Sequence, residues 1–95
     1  MDEPTHEIAA AYLKEAASLI AGDRQDEYGD FFDNCKNAEA ESGVDALSCV
    51  DVMIAFKNTR LKHSPRHHDS IVDKIAYYAL KEVVRVKLLD ADERF

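Results

Sequence analysis

The chain has 95 residues, of which 46% are hydrophobic, and carries a formal net charge of −7. That length suits one small domain with material for a single core, while three Gly and two Pro leave too little punctuation for an all-β fold. The acidic balance argues against nonspecific nucleic-acid binding, since phosphates would be repelled, although basic residues clustered locally remain compatible with a nucleotide-sized ligand. No apolar run is long enough to cross a membrane, and the start MDEPTHEIAA has no apolar core of a secretory signal. The only cysteines, Cys35 and Cys49, therefore indicate a reduced, cytoplasmic protein with both thiols as small core residues.

The first helix is predicted from about Pro4 to Ala21. Pro4 suits the first turn, and Ile8, Tyr12, Leu13, Ala16, Leu19 and Ile20 form one apolar arc at helical spacing, with Lys14, Glu15 and Ser18 opposite. Gly22 is its natural stop. A second helix is predicted to begin between Asp23 and Asp26 and to end at Gly43, on a stripe of Tyr28, Phe31, Phe32, Cys35 and Ala38. Gly29, beside Tyr28, is expected to admit a close backbone or ligand.

Asp45 reads as the N-cap of a third helix. It runs to about His63, and Pro65 stops it. His67, His68 or Asp69 then opens a fourth helix reaching about Leu89. The expected fold is all-α: one compact four-helix bundle with short loops.

Advancing about 100° per residue places Asp51, Ala55, Asn58 and Lys62 on one solvent face of the third helix. Cys49, Val50, Met53, Ile54, Phe56 and Leu61 make the apolar arc, and Lys57 and Arg60 fall inside it. On the fourth helix Ser70, Lys74, Lys81, Glu82 and Arg85 cover the polar face, while Asp69 and Asp73 project among Ala76, Tyr77, Leu80 and Val84. Two cations and two carboxylates thus point inward. An unpaired buried ion costs several kcal/mol, so two readings stay open. In one, Lys57 and Arg60 pair with Asp69 and Asp73 as a structural network. In the other, Asp69 and Asp73 hold Mg²⁺ while Lys57 and Arg60 grip phosphate. The histidines read as turn residues rather than a zinc site, and no Ser–His–Asp set or phosphate-cradling Gly loop is present.

The string GDRQDEYGD, then KNTR, then HHDSIVDKIAYYA resembles a group of small phage and prophage proteins marked by G-D-R…Y-G, K-x-x-R and H-x-D-S-x-x-D. The likeness spans roughly residues 13 to 84. That group in turn is similar to the all-α nucleoside triphosphate pyrophosphatases of the MazG type. The resemblance implies a helical bundle, a homo-oligomer of at least two copies, a nucleotide ligand, and Mg²⁺ held by acidic residues on two helices. Asp69 and Asp73 stand where the second acidic motif of that type lies, as D-x-x-x-D; the first, E-x-x-E, is absent, leaving Asp23, Asp26, Glu27 or Asp30 to make up the carboxylates. In this reading Arg24, Lys57 and Arg60 contact phosphates and Tyr28 stacks on or hydrogen-bonds to the ligand. The alternative is a non-catalytic accessory protein that sequesters a host signalling nucleotide or inhibits a host protein.

Overall fold

A computed structural model describes residues 4–22 and 29–91. These form an all-α helical bundle: α1 spans Thr5–Ala21, α2 Phe31–Ser42, α3 Ala46–His63 and α4 His68–Ala91. No strand occurs among the described residues, and no helix there is long and apolar enough to cross a membrane. The expected positions of Arg24 and Tyr28, and a helix start between Asp23 and Asp26, lie outside the described residues.

Local chemistry sets most boundaries. The Pro4 carbonyl accepts from the Ile8 N–H at 3.0 Å, and α1 closes at Gly22 in extended backbone. The second helix starts later than its sequence suggests. Gly29 has φ 83°, in the left-handed region, and Asp30 is extended, its carboxylate accepting from the Asp33 N–H at 3.1 Å. Asp30 is therefore the N-cap, and no continuous helix runs from before Gly29 into α2. Among the described residues nothing lies within 4 Å of where a Gly29 Cβ would stand. Gly29 thus serves a turn of positive φ.

The turn from α2 to α3 is sealed three times. Gly43, at φ 77°, returns its N–H to the Glu39 carbonyl at 2.9 Å. Glu39 Oε2 accepts from the Ala46 N–H at 3.0 Å, and Asp45 accepts from the Ser48 N–H at 3.1 Å and from its hydroxyl at 2.7 Å. Asp45 is the N-cap, as expected. Both carboxyls sit below their ordinary values: Glu39 through the Lys36 ammonium and then the Ala46 N–H, Asp45 through the Ser48 hydroxyl and then its N–H. At the other end of α3 the Ser64 N–H closes on the Arg60 carbonyl at 2.8 Å, just before Pro65. His67 caps α4, accepting from the Ser70 N–H at 3.2 Å with Ser70 Oγ 2.7 Å from the same ring nitrogen.

α3 and α4 form an antiparallel hairpin. Val50 and Ile54 of α3 meet Val84 of α4, joined by Cys35 and Ala46 and ringed by Phe31, Phe32, Leu47, Tyr77 and Leu88. Cys35 is a free thiol, pushed up in pKa chiefly by burial. Two cross-helix ion pairs of opposite polarity hold the register. Lys57 Nζ of α3 lies 2.8 Å from Asp73 Oδ2 of α4, and Lys81 Nζ of α4 lies 2.6 Å from Asp51 Oδ1 of α3. Lys81 is held above its usual pKa first by that hydrogen bond.

α1 runs parallel to α4. Its Tyr12 and Glu15 meet His68 at the start of α4, Ala16 packs with Val72 and Ala76, and Leu19 and Ile20 pack on the same cluster. α2 takes over where α1 ends: Phe31 lies 6.2 Å from Tyr77 between ring centroids, and the Lys87 ammonium sits 5.3 Å over the Phe32 ring. α1 and α2 thus follow one another along α4, and the molecule measures 52 × 29 × 26 Å.

Several side chains depart from the wheel expectations: Arg60, expected inward, and Leu13, expected in the apolar arc of α1, are both exposed. Phe56 is 69% exposed, because it stands two residues, about 200°, round α3 from Ile54. Ser70 is fully buried; it lies about 40° from Val84 on the wheel, on the side facing α3, and His67 satisfies its hydroxyl. Asp69 is exposed rather than inward.

Candidate functional site

The second half of α1, the last turns of α3 and the first turns of α4 enclose an open groove of about 700 Å³. Glu15, Arg60, His68, Asp69 and Asp73 supply its charged and polar walls, and Leu19 and Val72 its floor. A second, more apolar chamber of about 410 Å³ continues between α1, the start of α2 and the middle of α4. Leu19 and Asp73 line both. The two chambers meet at those residues, where α1 gives way to α2.

Asp73 is the centre of the arrangement. Its carboxylate is half-buried and paired with Lys57, the two side chains being only 14% and 17% exposed. A charge so placed is stable only with a counter-ion at hydrogen-bond distance, and Lys57 provides it. One of the ion pairs foreseen for a structural network is therefore present. Lys57 reaches the site through Asp73 and lines neither chamber, whereas Arg60 and Asp69 are exposed and face the groove. Among the described residues neither Arg60 nor Asp69 has an ion-pair partner.

Across the groove, His68 Nε2 lies 2.7 Å from Glu15 Oε2, with Tyr12 tilted against the imidazole at 5.8 Å. This ties α1 to the first turn of α4. It also sets a carboxylate–imidazole pair, half open to solvent, in the same groove as Asp69. Asp30 lines the apolar chamber with Asp73, so one of the four acidic residues offered to complete a carboxylate set does face the site. The other three are Asp23, Asp26 and Glu27, outside the described residues.

The fit to Mg²⁺ depends on what else coordinates the ion. Among the described residues no three His, Cys, Asp or Glu side chains converge as a ligand set. Mg²⁺ commonly takes only one or two protein carboxylates, keeping water and phosphate oxygens in its other positions. Asp69 and Asp73, one turn apart and lining one groove, match that mode of binding.

Residues 11–85 match the family described as a domain of unknown function, DUF6378. The chain belongs to the DUF6378 family. No curated protein and no solved structure matches it. The family match takes in the second half of α1, α2, α3 and most of α4, hence every wall of the groove in this DUF6378 domain.

Two parts of the site escaped sequence reasoning. Glu15 was placed on the outer face of α1 and His68 in a turn, because a contact between residues 53 apart leaves no periodic signal. The apolar chamber combines Leu19, Ile20, Phe31, Tyr77 and Leu80 from three helices, each a plain core residue on its own helix.

Proposed function

We propose that this chain is a MazG-like protein that binds a nucleoside phosphate together with Mg²⁺ in the groove between α1 and α4. The observation that supports it is the meeting of Arg60, Asp69 and Asp73 in one open groove, with Lys57 ion-paired to Asp73 behind them. Asp69 and Asp73 hold the cation. Arg60 supplies a planar fork for phosphate oxygens, and Lys57, ion-paired to Asp73, holds its carboxylate in place. Arg24 and Tyr28, next in sequence to walls of the site, take the phosphate and stacking roles that the resemblance gives them. Bound Mg²⁺ supplies positive charge that bridges and neutralises phosphate oxygens. Hydrolysis to a nucleoside monophosphate and pyrophosphate is the activity this reading carries. Incubating the pure protein with the canonical ribo- and deoxyribonucleoside triphosphates and Mg²⁺ tests it: pyrophosphate is released, and no release from any of them ends the enzymatic version.

A second reading, binding without hydrolysis, is favoured by the short supply of carboxylates, since no three metal-ligating side chains converge among the described residues. It is the mode of a phage accessory protein that sequesters a host nucleotide. Calorimetry with the ligand recovered intact separates the two.

The protein works in the cytoplasm as a homo-oligomer, at least a dimer. Val83, Val86 and Leu89 on α4 and Val52 and Phe56 on α3 are 38–69% exposed, and exposed apolar residues gathered on two helices are the kind of surface a second copy would cover. Light scattering at micromolar concentration reads the mass directly, and a strict monomer removes this element.

A further inference from the structure

We infer that the apolar chamber beside Asp73 is the seat of a flat heteroaromatic base, so that the groove is one site with a ring end and a phosphate end. This rests on the nucleoside phosphate reading above and adds to it the part of the ligand that the charged residues do not explain.

The two chambers are continuous, since Leu19 and Asp73 line both. Their chemistry differs. The charged one holds Arg60, Asp69 and the Glu15–His68 pair, a setting for phosphate oxygens and a cation. Among the described residues the other is walled by Leu19, Ile20, Phe31, Tyr77 and Leu80, with Asp30, Asn34 and Asp73 as its polar groups. An apolar, aromatic-lined pocket with a few polar groups at one edge is the usual environment of a flat ring ligand. Its volume of about 410 Å³ lies within the range of about 300–1,000 Å³ typical of small-molecule sites. An inorganic polyphosphate or a bare sugar phosphate has no apolar surface to place there.

The spacing along α4 gives the order of the parts. Tyr77 is one turn, about 6 Å, beyond Asp73, and Asp69 is one turn before it. A ligand lying along α4 therefore meets Tyr77 and Leu80 with its ring, Asp73 at the join, and Asp69 with Arg60 at its phosphate tail. At the start of α2 no atom of the described residues comes within 4 Å of where a Gly29 Cβ would be. The side chains there are already held: Phe31 packs on Tyr77, and Asp30 caps α2. Among the described residues, these walls of the ring end are thus set by α2 packing on the hairpin before a ligand enters.

The test uses calorimetry on the full chain with α,β-methylene analogues of the four ribonucleoside triphosphates, which resist cleavage at that bond. Inorganic tripolyphosphate serves as the control, and each titration contains Mg²⁺. At least one analogue is expected to bind tenfold or more tighter than tripolyphosphate, about 1.4 kcal/mol. Leu80→Trp, which fills the chamber, removes that difference and leaves tripolyphosphate binding unchanged; Arg60→Ala weakens both ligands by the same factor. Circular dichroism and urea midpoints confirm that each variant is folded, and Leu80→Phe is the substitute if Leu80→Trp is not. Equal binding of tripolyphosphate and every analogue overturns the ring seat while leaving a phosphate site standing. Discrimination that survives filling the chamber in a folded variant overturns it as well. If neither kind of ligand binds, the nucleoside phosphate reading itself falls, and the ring seat with it.

Discussion

The two ends of α4 are packed in different ways. Its second half lies in the α3–α4 hairpin under α2, where Val50, Ile54 and Val84 are nearly or fully buried and five partly buried apolar residues ring them. Its first half meets α1 through Ala16, Val72 and Ala76, a buried centre of smaller side chains with Tyr12, Leu19, Ile20 and Ile75 only partly buried around it. The first arrangement is closed at its centre and leaves space only at its edge, where Phe31 and Tyr77 line the apolar chamber. The second brings a parallel helix close and still leaves a groove beside it, and there the half-buried Asp73 and the exposed Arg60 and Asp69 collect. A small domain thus keeps its stability in one half and its candidate chemistry in the other, where tight packing would close the site.

That contrast can be broken from the hairpin side first. Ile54→Ala is expected to cost roughly 2–5 kcal/mol, the range for a large apolar residue truncated in a packed core. Val72→Ala in the α1 cluster is expected to cost only about 1–2 kcal/mol from lost transfer energy. Urea unfolding followed by circular dichroism reads both, and a Val72→Ala cost equal to that of Ile54→Ala would show the two halves to be packed alike.

Lys57→Met comes next, since it strips the counter-ion from Asp73 in a half-buried setting. A loss of about 1–3 kcal/mol is expected, together with weaker binding of Mg²⁺ and nucleotide. A Lys57→Arg variant that restores both would assign the effect to charge rather than to shape. Retained ligand binding in a folded Lys57→Met protein would separate Lys57 from the site.

A smaller effect should appear in acid, and it probes the sealed end. The folded pKa values of Glu39 and Asp45 lie below their ordinary values of 4.5 and 3.8. Their contribution is therefore complete above those values and is lost as pH falls through the lower, folded ones. Urea midpoints taken from about pH 6 down to about pH 3 should fall, and more shallowly in a Glu39→Gln, Asp45→Asn double variant. An identical slope in the two proteins would remove both caps from the account. Last, Arg60→Ala should leave stability within roughly 0.5 kcal/mol of the parent, as exposed positions do, while weakening phosphate binding.

How much of this was legible in the sequence depended on whether the signal was local. α3 and its N-cap were readable because Asp45 and Pro65 lie next to the residues they control. α2 was not, because an acidic stretch before Gly29 offered several rival caps, and only the left-handed turn at Gly29 makes Asp30 the cap that is used. The inward charges were half legible. Periodicity places Lys57 and Asp73 on facing sides of the hairpin, and there the structure pairs them. It also drew the apolar arc of α3 too wide, which put Phe56 inside. For Asp69 the decisive fact was the position of α1, which meets His68 and Val72 of α4 and leaves Asp69 exposed in the groove between them. No one-dimensional pattern encodes where a helix from the other end of the chain will lie.

The parallel run of α1 beside α4 also bears on the order of assembly. The Lys57–Asp73 pair closes 16 residues of chain, whereas the Glu15–His68 pair closes 53. Bringing the longer segment together costs about 1 kcal/mol more in chain entropy, and the buried side chains that offset it there are smaller than those of the hairpin. The α3–α4 hairpin therefore has the advantage in forming early, with α1 docking late onto a finished partner. In native-state hydrogen exchange the amides of α1 should open more readily than those of α3, so the groove is both the last part of the molecule to be completed and the first to come apart.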